Sequence, residues 1–103
     1  MIQITKGTRF MTAASIDTDL NFTKAGFKQH ETITYKVLQQ KRPTREELDE
    51  AKNVTELFIK KLNELNQTIT ENGLAKYEKI IKPLSDAALS LASSVDRALN
   101  RKQ

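Results

Sequence analysis

His30 is the single histidine of this chain and stands beside Glu31. An imidazole that titrates near neutrality can relay a proton or hold a metal ion. Both tasks need a second group at a fixed distance, such as a nucleophile or another ligand one helical turn away. Gly26, Phe27, Ile33 and Thr34 occupy those places, so His30 reads as a plain surface residue. Glu46, Glu47, Asp49 and Glu50 crowd five positions, and Asp17-x-Asp19 is a smaller acidic group. The first matches no calcium-loop spacing, and an Asp-x-Asp pair is too common to mark a site. Ser93, Ser94 and Asp96 have no nearby histidine to activate a hydroxyl. Three scattered glycines form no phosphate-binding loop, and the absence of cysteine excludes disulfides, thiolate catalysis and cysteine-based zinc sites. The expectation is a protein that is not an enzyme. It has no catalytic, cofactor-binding or metal-binding residues, no cofactor and no small-molecule substrate.

Basic residues are the remaining chemical signal. The net charge is +4, distributed as +5 over residues 1–45, −4 over 46–72 and +3 over 73–103. Lys76, Lys79 and Lys82 lie three apart, and the N-terminal part carries Lys6, Arg9, Lys24, Lys28, Lys36, Lys41, Arg42 and Arg45. A nucleic-acid-binding accessory protein would set Lys24, Lys28, Lys41 and Arg42 on phosphates and use Phe10, Phe22 or Phe27 for base stacking. No recognition motif accompanies the charge. The simpler expectation is that the acidic and basic stretches attract each other as antiparallel neighbours.

The elements that would carry these residues are legible in the apolar spacing. Leu48, Ala51, Thr55, Phe58, Leu62, Leu65 and Ile69 repeat at alternating intervals of three and four. After Asn72-Gly73 the pattern resumes as Leu74, Tyr77, Ile81, Leu84, Ala88, Leu91, Val95 and Ala98. This is the seam of a coiled-coil-like helix on either side of a stop signal. Thr44-Arg45-Glu46-Glu47 is a capping box that starts the first helix, and Gly73 ends it in the left-handed conformation. Pro83 falls on the outer face of the second helix without breaking phase, which predicts one kinked, continuous helix. Folding at Asn72-Gly73 sets Ala51 opposite Val95 and Leu48 opposite Ala98, and large residues repeatedly meet small ones.

Upstream the pattern is weaker. In residues 28–41, Ile33, Val37 and Leu38 fit a short third helix. Ile33, Tyr35 and Val37 fit a strand equally well, and Thr32 and Thr34 favour extended backbone. Residues 1–27 have no helical period, with Gly7 and Gly26 as breaks, and predict an extended or irregular basic arm. The fold expected is mainly α, a single domain. It is a long antiparallel helical hairpin over 28–103 with a shorter third helix or strand, preceded by the arm over 1–27.

Two helices bury too little to stand alone. Val54, Leu57, Phe58, Ile59, Ile80 and Leu89 are apolar positions left over for a partner. The expected activity is binding through helix packing. The partner is a second copy in a dimer or bundle, or another helical protein, with nucleic acid as the alternative. No apolar run approaches a membrane span and the first residues lack the core of a signal peptide, so a cytoplasmic protein is expected.

Overall fold

The computed structural model describes residues 13–101, which form three α-helices: α1 (Ala13–Gln39), α2 (Arg45–Glu71) and α3 (Ala75–Arg101). Each is 27 residues long. The chain is mainly α, and no strand occurs among the described residues.

α2 begins as its sequence dictates. Thr44 Oγ1 accepts from the Glu47 backbone N–H at 3.0 Å, and the Glu47 carboxylate accepts from the Thr44 N–H at 3.0 Å. Two of the helix's orphan donors are thereby satisfied. At its other end Gly73 takes φ +64°. Gly73 N–H donates to Thr70 O at 3.2 Å, and Leu74 N–H to Ile69 O at 3.0 Å. This pair of bonds is a Schellman motif, and Leu74 joins Ile69 in the main apolar cluster. Only three residues separate α2 from α3, so α3 must return along α2. Leu48 and Ala51 cluster with Val95 and Ala98, in the register that folding at Asn72-Gly73 requires. α3 runs unbroken through Pro83, which is exposed.

The two seams face inward. Leu48, Ala51, Thr55, Leu62, Leu65 and Ile69 are buried on α2, and Tyr77, Ile81, Leu84, Ala88, Leu91, Val95 and Ala98 on α3. Phe58 and Leu74 are half-buried.

α1 corrects the expectations for the first third of the chain. From Ala13 onward the stretch expected to be an irregular arm is helix, continuous with residues 28–39, and the strand alternative is overturned. The rest of the arm, residues 1–12, lies outside the described residues. The third helix is as long as the other two rather than shorter. Its inward residues are Ile16, Leu20, Thr23, Phe27, His30, Thr34 and Val37, of which His30 and Val37 are half-buried and the others buried. Their spacing is 4-3-4-3-4-3, the same seam rule that α2 and α3 obey. It escapes a search for apolar periodicity because three of the seven positions are Thr, His and Thr. Gly26 does not break the helix. A Cβ built there would sit 3.5 Å from the Phe58 ring, so the glycine lies where α1 and α2 approach closely.

Among the described residues, an ion pair between α2 and α3 runs against the charge gradient, from Lys52 on α2 to Asp96 on α3 at 3.3 Å. Lys61 on α2 reaches Asp19 on α1 at 3.1 Å. Both pairs are partly exposed and each adds at most about 1 kcal/mol.

Candidate functional site

The helices divide the core into two apolar clusters. One contains Ile16, Leu20, Phe27, Leu62, Leu65, Ile69, Tyr77, Ile81, Leu84, Ala88 and Leu91. The other contains Leu48, Ala51, Val95, Ala98 and Leu99, with Val37 and Leu38 against it. The level between them, on α1 and α2, is occupied by His30, Thr34 and Thr55.

Thr55 is fully buried, and its hydroxyl donates to Ala51 O at 2.7 Å. A hydroxyl has one proton to give. The contact of 2.7 Å between Thr55 Oγ1 and His30 Nε2 is therefore an N–H donated by the imidazole, which assigns the proton of the neutral ring to Nε2. Thr34 Oγ1 lies 3.4 Å from both ring nitrogens, too long and too symmetric to favour one. The ring also stacks on Phe58, with centroids 5.6 Å apart and planes 24° from parallel. Phe27 meets the Phe58 ring edge-on at 5.6 Å and 74°. His30 is thus a half-buried joint between α1 and α2, not the plain surface residue expected from its polar neighbours.

Burial lowers the pKa of His30 below its ordinary value, and the adjacent Glu31 carboxylate partly opposes that shift. The sign of the consequence is definite. A histidine whose pKa is lower folded than unfolded makes the unfolded chain bind more protons below about pH 6.5. Stability should be full above that pH and fall as pH drops through it toward the depressed folded value. Denaturant titrations between pH 7.5 and 5 should show this slope. In His30→Gln the slope over that window should vanish, because the chain has no other histidine.

The polar groups beside His30, among the described residues, are the Thr34 and Thr55 hydroxyls and the Glu31 carboxylate, and the Thr55 hydroxyl already donates to Ala51 O. Among the described residues no group of three or more His, Asp or Glu comes together as a metal site. In the acidic start of α2, Glu47 caps the helix and Asp49 pairs with Arg45 at 3.8 Å.

The six residues expected to form a partner surface do not share one. Phe58 is covered by α1, through Gly26, Phe27 and His30. Val54 is half-buried, and Leu57, 67% exposed, stands one turn from Lys61 on the flank beside α1. Ile59 is half-buried and shares the helical phase of Lys52, which faces α3. Ile80 (39% exposed) and Leu89 (54%) lie on different faces of α3. Phe22, considered from the sequence only for base stacking, and Ile33 stand exposed on α1, at 81% and 56%. They are 11 residues apart, three helical turns, and that spacing was visible in the sequence.

The four basic residues of the nucleic-acid reading are also divided. Lys24 and Lys28 are one turn apart on the exposed side of α1, and Lys28 pairs with Glu31 at 3.9 Å. Lys41 and Arg42 lie in the α1–α2 loop, where they line a hollow with Leu38, Gln40, Pro43, Ala98 and Arg101.

No protein-family model matches the chain, and comparison with curated proteins and with solved structures finds no significant match. No helix among the described residues is long and apolar enough to cross a membrane.

Proposed function

We propose that this chain is a non-enzymatic interaction module that works by helix packing and associates with itself. In this reading α2 and α3 form a coiled-coil-like antiparallel hairpin, and α1 completes the monomer. The outer flanks then assemble into a larger helical bundle in the cytoplasm. One observation carries it. The helices bury most of their seam positions, yet Phe22 and Ile33 on α1 and Leu57 on the neighbouring flank of α2 remain largely in water. Single exposed apolar residues are ordinary, but several on adjoining helix flanks mark a contact surface.

The hollow lined by Lys41, Arg42 and Arg101 supports the second reading, a small basic accessory protein that binds nucleic acid. Sedimentation of the pure protein, together with tagged capture from lysate with and without nuclease, separates the two. A defined oligomer, or a protein partner retained after nuclease and at high salt, supports helix packing. A monomer at every concentration that recovers only nucleic acid, with affinity falling steeply in salt, supports the second reading and rejects the first.

A further inference from the structure

We propose that the flank formed by α1 and α2 pairs with the same flank of a second copy, with the two α1 helices antiparallel. This rests on the reading of the chain as a self-associating module and names its contact surface. Besides its inward seam, α1 carries a second stripe: Asp19, Phe22, Gly26, Gln29, Ile33 and Lys36, spaced 3-4-3-4-3. Contacts fix where the stripe lies. Gly26 abuts the Phe58 ring and Asp19 meets Lys61, so the stripe borders α2.

Reversed, the stripe is its own complement. Positions 19 and 36, 22 and 33, and 26 and 29 are each equidistant from a midpoint between residues 27 and 28. Antiparallel helices with this spacing bring such positions into the same layers. Phe22 of each copy then packs on Ile33 of the other. Gly26, backed by Phe58, leaves room for the longer Gln29, and Asp19, already paired with Lys61 of its own chain, comes level with Lys36 of opposite charge. A parallel pair would instead set Asp19 on Asp19 and Lys36 on Lys36, which charge repulsion disfavours.

α2 repeats the symmetry. Phe27 meets Phe58 and His30 meets Thr55, and this register places Leu57 level with residue 28, beside the same midpoint. Leu57 lies on the flank next to α1 and is exposed. In a two-fold pair the two copies of Leu57 meet at the axis, as an isologous interface requires. A self-complementary sequence of sizes and charges, centred on one point in both helices, selects a second copy over an unrelated partner.

The chain has no cysteine, so introduced thiols report the geometry directly. Under mild oxidation Phe22→Cys combined with Ile33→Cys should give a disulfide-linked dimer. Phe22→Cys alone should not, because antiparallel pairing separates the two copies of residue 22 by about 16 Å of helix. Leu57→Cys alone should link to itself. By light scattering the unmodified protein should be a dimer, and Ile33→Glu should raise its dissociation constant about thirtyfold with helix content unchanged. Self-linking of Phe22→Cys would overturn the antiparallel arrangement. A dimer indifferent to both Phe22→Glu and Ile33→Glu would overturn this face while leaving self-association standing. A monomer at all concentrations that still binds another protein would overturn the pairing but not the interaction-module reading.

Discussion

Phe58→Ala should destabilise the protein by about 3 kcal/mol and lower its melting temperature by about 10–20 °C. The Phe58 ring is a principal contact between α1 and α2, beside the shared core, the His30–Thr55 bond and the Asp19–Lys61 pair. It meets Phe27 edge-on, stacks on His30 and lies against the backbone at Gly26. Because α1 has no side chain at Gly26, no neighbouring group can move in to fill the space. The loss combines apolar burial with two ring contacts, and partial exposure of Phe58 keeps it below the upper end for a core phenylalanine. Phe58→Asp should do more damage, since a carboxylate at that place loses solvation without recovering the ring contacts. Some of that loss returns as the new charge favours protonated His30, so the aspartate variant should be less destabilised at pH 5.5 than at pH 8. Thermal melts at the two pH values test both statements. A melting point within a few degrees of the parent for Phe58→Ala would mean that α1 is anchored elsewhere.

The difference between what was readable on α2–α3 and on α1 has one physical cause. A seam is recognised when its positions are apolar, and α2 and α3 put Leu, Ile, Ala or Val at nearly all of theirs. The capping box at Thr44 and the glycine at position 73 announce the boundaries as well, since each solves a local hydrogen-bonding or φ requirement that few other residues meet. On α1 the periodicity is equally regular, but Thr23, His30 and Thr34 hold inward positions. Thr32 and Thr34 then suggest a strand on local preference, although Thr32 Oγ1 simply donates back to Lys28 O at 3.0 Å within the helix. Tertiary contact overrides the local preference here. His30 is tolerated at an inward position because its ring N–H meets Thr55 Oγ1, and a single sequence does not announce that His30 will find Thr55 twenty-five positions away.

The leftover apolar residues teach a related lesson. Counting them on α2 and α3 correctly suggested that two helices leave surface to cover, but not which side of each helix carries it. Phe58 turns to α1, which the chain itself supplies. Leu57, its neighbour, points past α1 to the outside. One residue of offset, 100° of helix rotation, separates an intramolecular anchor from an exposed flank. That distinction depends on where the third helix lies, and α1 was the element least visible in the sequence.

The His30–Thr55 bond should show strong coupling. Thr55→Val keeps the shape of the side chain but leaves the imidazole N–H facing a methyl group at a helix interface, which should reduce stability by about 2 kcal/mol. His30→Leu leaves the Thr55 hydroxyl still bonded to Ala51 O, so its loss should be smaller and come chiefly from the missing stack on Phe58. The double variant removes both ends of the bond and joins the two apolar clusters into one, so it should be more stable than Thr55→Val alone. A coupling energy of about 1 kcal/mol or more from the four proteins, by urea denaturation at pH 7.5, is the expected result; simple additivity would mean the contact adds nothing net. The polar layer has a second consequence that stability alone does not report. Sliding α1 by one heptad along α2 would bring Thr23 or Val37 to Thr55 and leave His30 against apolar neighbours, so the bond penalises every register but one. An all-apolar layer carries no such penalty. The double variant should therefore keep its helix content and much of its stability while its amide and methyl NMR signals broaden or double, as α1 samples more than one position on α2.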